Sequence, residues 1–178
     1  MIRAWSTPSA LAQLALDPTD AQVPRVRAAH AVQRVGDSVT KLRLLPLASG
    51  SDTDPNDELK GIALRTLYPE VITRSDVFGL ITRPLNDRHY GAYSMFLHGF
   101  RNALSPSCLP AALQWAGVQP SRHLQDGAIR DLLDAVLRLA WENALEPAIV
   151  GPLAVVVAHR LAVKWTRSFG PEAGRRKL

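Results

Sequence analysis

PLAVVVAHRLAVKWTR, residues 152–167, is the stretch that most resembles a β-strand, and its reading decides the fold. Three consecutive valines suit a pleated surface. Arg160, Lys164 and Arg167, however, recur at helical spacing on one side, while Leu153, Val157, Leu161 and Trp165 recur every fourth position on another. That pattern predicts a helix. No other run alternates apolar and polar residues between hairpin turns, so the chain is expected to be all-α.

Working outward, helix-start chemistry recurs along the chain. Thr7 with Pro8, and Ser105 with Pro106, place a capping hydroxyl before a proline suited to the first helical position. Asp37 is expected to open one helix over DSVTKLRLLPLASG (37–50). Asp54 with Pro55 opens another that Pro69 ends, and Thr73 with Asp76 has capping-box spacing. In LQDGAIRDLLDAVLRLAWENALEP (124–147), Asp126, Arg130, Asp134, Arg138 and Glu142 alternate in sign at intervals of four, which predicts an exposed stripe of i,i+4 pairs. Ile129, Leu132, Leu133, Val136, Leu139 and Ala140 form the opposite, buried face.

Two segments echo one another. DPTDAQVPRVRAAHAV from Asp17 and DPNDELKGIALRTL from Asp54 share Asp-Pro-x-Asp, a basic residue near the helix start and an Ala-rich stripe, 37 residues apart. Such a period predicts a HEAT-like α-solenoid of antiparallel helix pairs, with an irregular helical bundle as the alternative. The expected organisation is a single α-helical repeat domain over residues 1–170 and a basic, flexible tail over 171–178.

Bulk composition narrows the function classes. The 178 residues are 47% hydrophobic, and 21 basic against 16 acidic residues give a formal charge of +5, with three of the cations at Arg175, Arg176 and Lys177. This permits an anionic partner without requiring one. The single cysteine, Cys108, excludes an internal disulfide and points to a reducing compartment, the cytoplasm by default. The N-terminus lacks an uninterrupted apolar signal region and reads as mature chain. The most apolar segment, AIVGPLAVVVA (148–158), falls short of the ~20 residues a membrane span needs.

Reactive constellations are not evident. No glycine-rich loop is followed by Lys and Ser or Thr, and the histidines at 30, 89, 98, 123 and 159 have no metal-ligand spacing. Ser94 is not in a Gly-x-Ser-x-Gly turn. Cys108 reads as a small packed residue near a helix start. NDRHYGAYSMFLHGF (86–100) is densest in chemically capable side chains. On a helix, however, His89 and His98 point to opposite sides, and Asp87 lies about 16 Å from His98. This stretch is read as packing: Gly91 is expected to admit a neighbouring backbone while Tyr93, Phe96, Leu97 and Phe100 fill the adjacent groove. No catalytic residue, metal or cofactor is expected.

A basic stripe is the surface feature that suggests a partner. Arg27, His30 and Arg34 fall within about 60° of one another on a helix, Lys41 and Arg43 follow, and Asp37 is the only acid between residues 22 and 49. With Tyr90 at the edge of the later helix, these residues form the candidate partner-binding set.

DPNDELKGIALRTLYPEVIT (54–73), followed by LITRPLNDRHYGAYSMFL (80–97), resembles the HEAT-like helical region of bacterial NACHT or STAND-type NTPase proteins; ALQWAGV and LLDAVLRLAWENALEP fit the same pattern more loosely. The resemblance spans roughly residues 17–165 and carries packing motifs, with no phosphate loop or magnesium-binding acid. It implies a non-enzymatic scaffold or sensor segment that contacts a protein partner or other domains of a longer parent, in bacterial signalling or defence. The alternative is a helical-repeat module that holds nucleic-acid backbone through the basic stripe. No membrane partner is expected.

Overall fold

A computed structural model describes residues 7–50, 53–85, 91–120 and 127–169, with side chains up to residue 161. The described residues are helical with no strand, so the chain is all-α. It forms two compact units, Met1–Asn102 and Ala103–Leu178.

In the first unit, α1 (Pro8–Leu16) starts as its sequence predicts, with Thr7 Oγ1 accepting from Ala10 N at 3.3 Å and proline in the first turn. It packs on α2 (Gln22–Val35) through small buried residues, Ala12 and Ala15 on one helix and Ala28 and Ala29 on the other. The expected helix over 37–50 is interrupted. Asp37 caps α3 (Ser38–Leu42), accepting from Thr40 N at 2.8 Å, and α4 (Leu45–Ala48) then starts afresh with a proline in its first turn. Pro46 has no N–H for the carbonyl one turn back, and its ring crowds that carbonyl, so a continuous helix is not available there.

The centre of the unit is α5 (Glu58–Leu67), buried at Leu59, Lys60, Gly61, Ile62, Ala63, Leu64 and Leu67. It packs against α2, α4 and α7 (Ala92–Asn102). Between them, α6 (Arg74–Leu80) carries the predicted capping box, with Asp76 N donating to Thr73 Oγ1 at 3.3 Å and Thr73 N donating to Asp76 Oδ2 at 3.2 Å. Tyr93, Phe96, Leu97 and Phe100 are buried on α7 as anticipated, and Phe78, Tyr68, Phe96 and Phe100 form an aromatic cluster with centroid spacings of 5.4–6.0 Å.

The glycine that admits a backbone differs from the expected one. A Cβ at Gly61 would overlap Tyr93 N and Ala92 C, so it is here that α5 and the start of α7 meet. Gly91 has φ +140°, and a Cβ on it would meet the Glu58 carboxylate at 2.9 Å, a side chain and not a backbone. Glu58 Oε2 accepts from Ala92 N at 3.1 Å, so this carboxylate satisfies a free N–H at the head of α7.

In the second unit, a 3-10 turn (Pro106–Cys108) leads into α8 (Leu109–Gly117), followed by α9 (Gly127–Glu142) and α10 (Pro147–Phe169). On α9, Ile129, Leu132, Leu133, Val136 and Ala140 are buried, and Arg130, Asp134, Arg138 and Glu142 are exposed. The predicted charge pairing along that helix is replaced by other partners. Arg130 meets Asp131 at 3.5 Å, and Asp134 accepts from Arg160 of α10 at 3.3 Å; Asp126 lies outside the described residues. Residues 152–167, with their three consecutive valines, are helical throughout, and Pro152 lies inside α10. Its buried seam is rotated from the expected one: Ile149, Leu153 and Val156 are covered, whereas Val157 and Leu161 are exposed. Side chains at 164, 165 and 167 are outside the described set.

Candidate functional site

The predicted basic residues divide between elements. Arg27, His30 and Arg34 are exposed on the outer side of α2, opposite Ala28, Ala29 and Val32. Lys41 is half-buried on α3. Arg43 is exposed, and its Nη1 donates to Ser9 Oγ at 2.5 Å and Ser9 O at 3.4 Å, which ties it to the first turn of α1. Tyr90 lies outside the described residues.

On the opposite side of α2, the structure assembles a polar cluster that sequence reasoning did not anticipate. Arg25 is 2% exposed. Its Nε donates to Ala15 O at 3.2 Å, and its Nη1 donates to Thr53 O at 3.1 Å and Thr53 Oγ1 at 3.0 Å, clamping the end of α1 to the segment before α5. Asp54, also buried, accepts from Gln22 Nε2 at 3.3 Å and from Lys60 N at 2.9 Å. Lys60 is 1% exposed; its Nζ donates to Thr82 Oγ1 at 2.6 Å and sits 4.7 Å from the centroid of the Tyr93 ring. Tyr93 Oη in turn donates to Thr82 O and accepts from Thr82 N. Asp57 takes the left-handed conformation at φ 56° and accepts from Leu85 N at 2.6 Å.

Burying charge this way has electrostatic consequences. Burial raises the Asp57 carboxyl above its usual range; the Leu85 N–H and Lys60 oppose the rise, and Asp54 adds to it. Burial lowers the Lys60 amine below the usual lysine value, against the pull of Asp57 and Asp54. Between the lowered folded pKa and the unfolded value near 10.5, the unfolded chain holds more protons on Lys60, so this residue contributes increasing stability as pH rises. The wild type should therefore gain stability relative to Lys60→Met as pH is raised through that window. Urea titrations of both proteins at stepped alkaline pH check this; a stability difference that stays flat, or falls with pH, contradicts it.

A pocket of about 460 Å³ lies beside the cluster, lined by Leu16, Pro18, Arg25, Pro46, Leu47, Gly50 and Thr53. No family model matches the chain, nor does any curated protein or solved structure. Cys108 is buried, and its Sγ donates to Ser105 O at 3.0 Å; His98, Asp131 and Asp134 are exposed. Among the described residues no group of His, Cys, Asp and Glu is placed to hold a metal ion, and no helix is long and apolar enough to cross a membrane.

A different kind of surface occupies the second unit. The outer side of α10 exposes Val150, Val155, Val157 and Leu161, with Ala154 and Ala158 among them. Near the end of α9, Trp141 is 76% exposed and Leu145 fully exposed.

Proposed function

We propose that the chain is a non-enzymatic helical scaffold or sensor segment that binds protein, and that the outer face of α10 is its principal contact. The carrying observation is that exposed apolar face, since soluble proteins seldom leave large contiguous apolar patches in water without using them. The HEAT-like reading, with its kinship to the helical regions of NACHT or STAND-type NTPase proteins, belongs to the same proposal. It draws support from the duplicated Asp-Pro-x-Asp turns: Asp20 N donates to Asp17 O at 3.3 Å and Asp57 N donates to Asp54 O at 3.1 Å, each just before a helix. In this reading α1 with α2, and α5 with α7, are successive helix pairs of a solenoid, working in the cytoplasm.

A photo-crosslinking residue at Val155, compared with one at Arg138 on the charged side of α9, tests the contact. Protein adducts are expected from position 155, and charge introduced by Leu161→Glu should reduce them by about tenfold. Equal adducts from both positions would remove α10 from the reading.

The nucleic-acid alternative rests on Arg27, His30 and Arg34, which have no salt-bridge partner among the described residues. Neutralising two phosphates with Arg27 and Arg34 predicts a log–log salt slope of about −2 on duplex DNA, and Arg27→Glu with Arg34→Glu should remove it. No binding at low salt would dismiss this alternative.

A further inference from the structure

The pocket beside Arg25 has features of a binding site that the scaffold reading does not use. A buried guanidinium is costly unless its hydrogen-bonding capacity is met, and the acceptors Arg25 finds for Nε and Nη1 are neutral oxygens only: Ala15 O, Thr53 O and Thr53 Oγ1. No carboxylate of the described residues is paired with it. Among the described residues its remaining nitrogen, Nη2, has no acceptor and is not sealed from solvent, and Arg25 itself lines the pocket. The side chain is thus held rigidly from one edge, and its other edge is left for an occupant.

A second buried cation stands behind the same wall. A Cβ on Gly50 would lie 3.7 Å from Lys60 Cδ and 3.8 Å from Lys60 Nζ, so the amine is screened from the pocket by a residue without a side chain. Asp54, next to the lining residue Thr53, has its oxygens engaged by Gln22 Nε2 and Lys60 N, and Asp17, between Leu16 and Pro18, accepts from Thr19 N and Thr19 Oγ1. Among the described lining residues, Arg25 is the one that carries charge. Leu16, Pro18, Pro46 and Leu47 supply the apolar part of the lining, beside Gly50 and Thr53.

These features select a class of ligand. A phosphate dianion is normally held by several converging donors, whereas here a single guanidinium nitrogen is free among the described residues, and Leu16, Pro18, Pro46 and Leu47 offer no side-chain donor to a second charged oxygen. A carboxylate on an aliphatic body matches both parts, and the volume is in the range of small-molecule sites. We propose that this pocket binds a small aliphatic carboxylate, with Arg25 Nη2 donating to the carboxylate and Leu16, Pro18, Pro46 and Leu47 covering the chain. The proposal is independent of what α10 binds, and failure of either leaves the other standing.

Calorimetric titration of the full chain with hexanoate, hexanamide and inorganic phosphate, at constant ionic strength, tests it. Hexanoate should bind saturably at one site, with hexanamide and phosphate each weaker by about tenfold or more. The Leu16→Trp variant fills the pocket while leaving Arg25 and its acceptors in place, and it should lose hexanoate binding. Should that variant fail to fold, amide-shift mapping on the wild type replaces it: hexanoate should move the signals of Leu47, Gly50 and Thr53. No saturable hexanoate binding below about 10 mM, an amide that binds as well as the acid, phosphate that binds as well as hexanoate, or shifts that avoid those residues would each overturn the assignment.

Discussion

Gly61→Ala is expected to destabilise the first unit by about 3 kcal/mol or more, the upper part of the range for overpacking a core. The added methyl would overlap Tyr93 N and Ala92 C and lie 2.6 Å from Tyr93 Cα. These are backbone atoms, so no rotamer change relieves the overlap and α7 has to move bodily off α5. That displacement would also pull Tyr93 away from Lys60 and Thr82, which it now contacts. Gly99→Ala supplies the opposite sign. Gly99 is also in a helix, but nothing lies within 4 Å of its would-be Cβ, so helix propensity alone should stabilise by up to about 1 kcal/mol. Urea unfolding followed by the near-ultraviolet tyrosine signal suits both variants, because Tyr68, Tyr90 and Tyr93 all belong to the first unit. A Gly61→Ala protein as stable as the wild type would mean that the two helices do not meet at this point.

Phe100→Ala should cost about 3–5 kcal/mol, the usual range for removing a buried phenyl ring. Phe100 is 2% exposed and contacts three rings, with centroids 5.5 Å from Tyr68, 5.4 Å from Phe78 and 5.7 Å from Phe96. It therefore joins α6, α7 and the end of α5 in one cluster, and its loss leaves a cavity bordered by aromatic edges that cannot collapse together. Met95→Ala, on the exposed side of the same helix, should change stability by no more than about 0.5 kcal/mol. The contrast between the two tests whether α7 acts in packing through one face. Equal effects would indicate that the face is misassigned.

Much of this architecture was legible because helix boundaries depend on local chemistry. Thr7 with Pro8, Asp37, the Thr73–Asp76 box and Pro69 all act within a few residues of themselves, and the aromatic face of α7 follows from spacing alone. The break at Pro46 and the start of α5 at Glu58 instead of just after Asp54 were local misreadings; the rest of what failed depended on neighbours distant in sequence. On α10, two apolar rows compete, and only the position of α8 and α9 decides that Ile149, Leu153 and Val156 face inward. The charges on α9 fitted pairing along their own helix until Arg160 arrived from another.

The buried cations were hidden for a related reason: a basic residue in a helical pattern is ordinarily solvated. Two signals nevertheless pointed to them. Arg25 shares the i, i+3, i+4, i+7 row of Ala28, Ala29 and Val32, and Lys60 lies in a helix whose apolar residues leave little polar face. The repeated Asp-Pro-x-Asp places both near helix starts, but which oxygens would receive them depends on tertiary structure.

The junction at residues 54–60 carries one more consequence. Gln22, Leu85 and Ala92 all donate to carboxylates within it, across 28–34 positions of sequence. A duplication or deletion cut through that seam would leave these carboxylates, two of them buried, without their donors, so a rearrangement that keeps the fold has to move the helices on either side as a single block.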